Sequence, residues 1–121
     1  MATQANRKTI KETFLLFGDA NQSADDDAFV AKASEFLCME VASATTVTLK
    51  FKGGKDRDSI DKVTLTLPTL AAGAGTFKFK EAAKVVSGLL NGSNYTLYTV
   101  ADEKNAVYVA PFEGAVTCLM A

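Results

Sequence analysis

The sequence predicts an α+β fold built on a mainly antiparallel sheet, or on a small, partly closed barrel, of about five to six strands. Two helices are expected, over about residues 24–41 and 81–91. Apolar residues alternate with polar ones in several short segments and recur at helical spacing in two longer ones. Because the chain has 121 residues, of which 48% are hydrophobic, we expect one domain spanning residues 1–121.

The first third of the chain carries a polar arm and the pattern of a helix. Residues 1–8 are expected to form a solvated arm, whereas Thr9–Phe17 fits either a helical face or a buried strand. Ser23–Asp26 resembles a capping box, with acidic residues in the turn that follows. The apolar residues that then recur at helical spacing are Phe29, Ala33, Phe36 and Leu37. This pattern predicts the first helix, over about residues 24–41.

The middle third changes to a period of two. Val47, Leu49 and Phe51 alternate with threonine and lysine, which is typical of a half-buried strand. The same alternation over Val63–Leu67 predicts a second strand, which Pro68 ends because proline cannot donate to a ladder. We expect these two strands to form a hairpin with a long connection.

The last third predicts one helix between strands. Phe77 and Phe79 alternate with Lys78 and Lys80, so a short strand is expected over residues 76–80. The apolar positions of the helix that follows are Ala82, Val85, Val86, Leu89 and Leu90, with Gly92 placed as its cap. Three further strands are expected near residues 95–100, 106–110 and 115–120. From residue 46 on, this order of elements resembles that of an OB-type barrel, and the resemblance implies a nucleic-acid-binding sheet.

The motifs that would carry catalysis or bind a cofactor are incomplete. The chain contains no histidine, which excludes histidine-dependent triads and the commonest metal sites. Asp19–Asp27 lacks the glycine and glutamate of a calcium loop, Ser59–Lys62 matches SxxK without its companion motifs, and Gly73–Gly75 lacks a third glycine. We therefore expect a protein that is not an enzyme and has no metal or cofactor. A site made only of carboxylates stays open, since paired carboxylates hydrolyse sugars without histidine.

The two cysteines, Cys38 and Cys118, are isolated in apolar surroundings and lack CxxC spacing. Isolated cysteines in such surroundings typically pack in the core as small hydrophobic side chains. A disulfide between them stays open, because it depends on a distance that the sequence does not give.

A locally basic middle third is the main electrostatic feature of the chain. Residues 41–80 hold seven basic and three acidic residues, a net charge of +4, whereas the whole chain has a net charge of −1. The candidate basic surface strip comprises Lys50, Lys52, Lys55, Arg57, Lys78 and Lys80. Such a strip fits a phosphate backbone. Phe51, Phe77 and Phe79, however, alternate with the lysines along their strands, so they would point inward instead of stacking on bases. The alternative function is therefore an OB-like nucleic-acid-binding module.

These exclusions favour a structural or interaction protein that works by presenting its surface to other protein subunits. The apolar strand near the end of the chain carries Val116, Cys118 and Met120 on one face, and a strand paired on one side offers its other edge to a neighbour. We therefore expect a homo-oligomer or a larger assembly. The sequence is rich in Ala, Thr, Val and Gly and is similar in broad character to small virion proteins of bacteriophages, which implies a capsid decoration or tail protein.

The polar start of the sequence shows no apolar run typical of a secretory signal. No apolar run approaches the roughly 20 residues that a membrane-spanning helix needs. We expect synthesis in the cytoplasm, no membrane partner, and incorporation into a virion.

Overall fold

The computed structural model describes residues 12–23, 27–53, 58–68, 75–91 and 97–120. Eight strands, one α-helix and a single 3-10 turn follow one another along these segments. The strands are β1 (Phe14–Gly18), β2 (Ala28–Lys32), β3 (Phe36–Ser43), β4 (Thr46–Lys52), β5 (Ile60–Thr66), β6 (Leu97–Asp102), β7 (Val107–Tyr108) and β8 (Val116–Leu119). The 3-10 turn is Ala33–Glu35, and the helix α1 is Gly75–Leu90.

The strands form two four-stranded sheets. Sheet A has the order β2-β1-β6-β7, and sheet B has the order β3-β4-β5-β8. Every pairing is antiparallel except that of β1 with β6. The predicted α+β class with a mainly antiparallel sheet is therefore confirmed at this coarse level. The barrel and the second helix are not confirmed.

The core lies between the two sheets and centres on aromatic rings. Phe17 on β1 and Phe29 on β2 meet Phe51 on β4, with ring centroids 5.8 and 6.1 Å from that of Phe51. The alternation in β4 and β5 places Val47, Leu49, Val63 and Leu65 in the same core, as their sequence period predicts. Helix α1 adds Ala82 and Val86 and packs against β3 and the 3-10 turn.

The helix predicted over residues 24–41 is wrong. The described residues of this stretch form β2, the 3-10 turn and most of β3. In β2 the buried Phe29 and Ala31 alternate with the exposed Val30, so the side chains follow a period of two. Phe29, Ala33 and Phe36 are four and three residues apart, which imitates a helical face. The spacing arises because the 3-10 turn interrupts the side-chain alternation between the two strands.

The strand predicted over residues 76–80 is also wrong, because α1 already begins at Gly75. Phe79 packs against the core, and Ala82 and Val86 follow it three and seven residues later on the same helical face. Five residues were too few to separate this face from a strand alternation. The helix predicted over residues 81–91 is the C-terminal part of α1.

The open choice for Thr9–Phe17 is settled in favour of a strand over its described part, since β1 spans Phe14–Gly18. The three late strands lie near their predicted places, as β6, β7 and β8. The polar arm predicted over residues 1–8 lies outside the described residues. In the described part of the chain, no helix is both long enough and apolar enough to cross a membrane.

A buried carboxylate ties two loops of sheet A together. Asp102 accepts hydrogen bonds from the side-chain nitrogen of Gln22 and from Asn105, whose Nδ2 is 2.8 Å from Asp102 Oδ2. The Asn105 side chain, ahead of the Gln22 amide, holds the pKa of Asp102 below its ordinary value, although burial acts in the opposite direction. The charged form is therefore favoured by folding.

We expect Asp102→Asn to lower the free energy of unfolding at neutral pH by about 2 kcal/mol, because the amide donors of Gln22 and Asn105 then face a neutral side chain. A lowered pKa gives stability that is present above the unfolded value and lost as the pH falls through the folded value. In urea unfolding, lowering the pH from about 7 to about 3 should therefore reduce the free energy of unfolding less in the variant than in the wild type. Glu113→Gln, at an exposed acid, is the control; an equal loss in all three proteins would contradict this role.

Candidate functional site

The lysines of the predicted strip lie on two different elements of the described structure. Lys50 and Lys52 lie on β4, whereas Lys78 and Lys80 belong to α1, because their segment is helical. Lys55 and Arg57 lie outside the described residues.

One lysine of the strip is already paired with a carboxylate. Lys50 Nζ lies 2.6 Å from Glu40 Oε1 on the neighbouring strand β3. The hydrogen bond with Glu40 raises the pKa of Lys50 above its ordinary value. Sequence reasoning missed Lys62, which stands directly opposite Lys50 across the β4–β5 ladder, because that position depends on strand register. The outer face of sheet B is thus a mixed-charge surface.

The predicted assembly strand is found as β8, at one edge of sheet B. Val116 and Cys118 are buried, and Met120 packs against the core, so the three predicted residues turn their side chains inward. Glu103 Oε1 accepts a hydrogen bond of 3.0 Å from the backbone N–H of Val116. A side chain of the protein therefore already covers the start of this edge.

The opposite edge of sheet B is β3, which sequence reasoning assigned to a helix. It is eight residues long, and within the described residues it pairs with β4 alone. Leu37 is 51% exposed and Val41 is 57% exposed, and Cys38 is a free, exposed cysteine instead of the core side chain that its surroundings suggested. Long, exposed, apolar edge strands pair readily with other chains.

Hydrogen bonds at the ends of the β4–β5 ladder show which way the backbone of β3 points. Leu67 N–H donates to Thr45 O at 2.7 Å, and Gly53 N–H donates to Ser59 O at 2.9 Å. Odd-numbered residues of β4 therefore direct their backbone groups to β5, and even-numbered residues direct theirs to β3. Since Met39 and Val41 stand opposite the odd-numbered Leu49 and Val47, their N–H and C=O groups point to the outer edge.

An apolar groove lies between β3 and α1. It has a volume of about 350 Å³ and is lined by Phe36, Met39, Ala83, Val86, Ser87, Leu90 and Asn91. A strand added to the outer edge of β3 would place alternate side chains beside this groove. Strand pairing supplies affinity in such sites, and pockets for alternate side chains supply specificity.

The edges of sheet A are less suited to strand addition. Strand β7 has two residues, and β2 has five and ends in the exposed Lys32. Short edges and edge lysines are how natural sheets discourage pairing with other chains. Among the four edge strands of the described residues, β3 is the longest and lacks both devices. Its ladder with β4 is irregular between Phe36 and Cys38 and between Val41 and Ser43, so its regular part is residues 38–41.

A second cavity, of about 220 Å³, opens beside β2 and the end of β4. Its charged lining residues are Lys32, Glu35, Lys52 and Asp61. Here two carboxylates share a cavity, as a carboxylate-only site requires, but two lysines accompany them and the four charges balance. This lining favours neither an anion nor a cation.

Comparison of the chain with protein-family models, with curated proteins and with solved structures finds no match. The case for a function therefore rests on the chain's own geometry. The feature that stands out in that geometry is an open strand edge beside an apolar groove.

Proposed function

We propose that this protein is a structural, non-enzymatic module that assembles with other protein subunits by strand addition at the outer edge of β3. One observation carries the proposal: the outward backbone groups of Met39 and Val41 lie on an eight-residue edge strand, beside the groove between β3 and α1. Strand addition is the mode of assembly expected from the sequence, but the strand proposed to carry it is β3 instead of β8.

The energetic terms at this edge favour a protein strand as the partner. Each ladder hydrogen bond contributes about 1 kcal/mol, and covering a half-exposed Leu37 or Val41 contributes about 1 kcal/mol more. Several such terms must exceed the entropy lost on association, so a partner strand has to cover most of β3.

Amide hydrogen exchange tests whether this edge is covered in solution. In the assembled protein we expect the amides of Met39 and Val41 to exchange at least about tenfold more slowly at high protein concentration than at low concentration, because their N–H groups are then bonded. The amide of Val30 also points to an outer edge, that of β2, and is the control that should not change. Rapid exchange of Met39 and Val41 at every concentration, with or without a native partner extract, would count against the proposal.

The expectation of a bacteriophage capsid decoration or tail protein stays a prediction. Strand addition at β3 is compatible with it, because virion subunits must bind their neighbours side by side. Purification of the native complex that contains the protein is the direct test, since the neighbouring subunits identify the assembly.

The nucleic-acid alternative also stays a prediction and receives less support from the geometry. The lysines expected on one sheet lie on a sheet and a helix, and Lys50 is paired with Glu40. A phosphate-binding strip requires cations that are available to phosphate oxygens.

A further inference from the structure

The core is incomplete on the side of β3. Met39 and Val41 stand opposite Leu49 and Val47 and so share their core-facing side of the sheet. Leu49 and Val47 are fully buried, whereas Val41 is more exposed than buried. Helix α1 covers the half of the strand that holds Phe36 and Met39 and leaves Val41 open. A second apolar strand beside β3 would complete this layer.

We infer that the strand completing this layer is β3 of a second copy of the chain, paired antiparallel about a twofold axis. The inference rests on the proposed function and adds the identity of the partner. A twofold contact brings together the same surface of both copies, so that surface must be complementary to itself. Strand β3 meets this requirement through its charges and through its exposed apolar residues.

Charge selects the register of the pairing. The outward backbone groups of Met39 and Val41 can meet those of the second copy in three symmetric ways: Met39 opposite Met39, Val41 opposite Val41, or Met39 opposite Val41. The last places Glu40 directly opposite Glu40, which is unfavourable for like charges. Pairing Val41 with Val41 overlaps only residues 39–43. Pairing Met39 with Met39 opposes no like charges and spans residues 36–42. It centres the contact on residues 38–40, within the part of β3 whose register with β4 is regular.

The Met39 register also pairs the exposed apolar residues. It places Val41 opposite Leu37 of the second copy, and Cys38 opposite Glu40 of the second copy. Each Glu40 keeps Lys50 of its own sheet as its partner, so the junction buries no unpaired charge. The two sheets B become one continuous sheet, and the grooves beside the two β3 strands lie on the same side of it.

Disulfide trapping tests directly which residues of the two β3 strands face each other. The backbone groups of Cys38 and Glu40 point to β4, so in the dimer they form a pair without mutual hydrogen bonds, the kind in which side chains lie closest. The Cα atoms in such a pair are about 4.5 Å apart, within the range that a disulfide spans. Glu40→Cys, which retains the native Cys38, should therefore form covalent dimers in oxidised glutathione. Non-reducing electrophoresis measures the yield.

Two matched proteins distinguish other registers. The wild type cross-links through Cys38 only if Cys38 faces Cys38, and Ala42→Cys cross-links with Cys38 only if Met39 faces Val41. We expect Glu40→Cys to give at least about tenfold more covalent dimer than either. In the Met39–Val41 register, Glu40→Cys would also cross-link, through position 40 of both copies, but Ala42→Cys would then do so as well. A yield from the wild type or Ala42→Cys that equals or exceeds that of Glu40→Cys therefore overturns the Met39 register and leaves the proposed function standing. If all three proteins remain monomeric and none cross-links, the partner is not a second copy of the chain. The proposed function is then tested separately, by whether another subunit protects the amides of Met39 and Val41 from exchange.

Discussion

Phe51→Ala is expected to lower the free energy of unfolding by about 3–5 kcal/mol, because removing a buried phenyl ring loses its burial and leaves a cavity. Phe51 is 1% exposed, and its ring contacts those of Phe17, Phe29 and Phe36 at centroid distances of 5.8, 6.1 and 5.6 Å. One side chain thus joins β1 and β2 of sheet A to β4 and the start of β3. Urea unfolding followed by circular dichroism measures the loss.

The control for this substitution is Ile60→Ala, at a neighbouring position with a partly exposed side chain. Ile60 lies on β5 opposite Lys52, one ladder position from Phe51, and is 39% exposed. We expect Ile60→Ala to lower the free energy of unfolding by less than about 1 kcal/mol. A loss of similar size in both variants would contradict the placing of the core between the two sheets around Phe51.

Val41→Lys is expected to weaken self-association by about a hundredfold or more, because it places an ammonium group opposite Leu37 of the second copy at the covered edge. The fold of one chain should tolerate the change. Val41 is 57% exposed, and surface substitutions usually alter the free energy of unfolding by less than about 0.5 kcal/mol. The expected result is therefore a folded monomer, with the circular dichroism spectrum of the wild type.

Val30→Lys is the matched control for this variant. Val30 is 49% exposed, lies on the edge strand β2 of sheet A, and points its backbone to the outer edge as Val41 does. The same charge is thus added to the same residue type on the other sheet. We expect Val30→Lys to associate as the wild type does, since β2 takes no part in the β3 contact.

The elements with strong local patterns could be predicted from the sequence. In β4 and β5, Val47, Leu49 and Val63 alternate with polar residues over seven positions each, long enough to establish a period of two. The C-terminal part of α1 repeats its apolar face over more than two turns. These segments carry enough residues for the period itself to decide the structure.

The stretch from Phe29 to Val41 could not be predicted, because two strands with a 3-10 turn between them place apolar residues at mixed spacings. Phe29 and Ala31 belong to one sheet, and Phe36 and Met39 to the other. No local period describes a segment that changes sheets. The error also hid the candidate site, since an edge strand cannot be recognised in a segment assigned to a helix.

Other parts of the site depend on register, which local patterns do not contain. Lys62 opposite Lys50, Glu40 beside Lys50, and the outward direction of the Val41 backbone all follow from which residues face each other. The element that carries Lys78 and Lys80 was mispredicted for a related reason, because an alternation of only five residues placed them on a strand.

Static light scattering of the wild type, Val41→Lys and Val30→Lys over a range of concentrations tests most directly whether β3 is the assembly edge. The wild type and Val30→Lys should approach at least twice the 12.8 kDa of one chain as concentration rises, while Val41→Lys stays at 12.8 kDa. A wild type that remains at the mass of one chain at every concentration would contradict self-assembly through β3. So would a loss of mass in Val30→Lys but not in Val41→Lys.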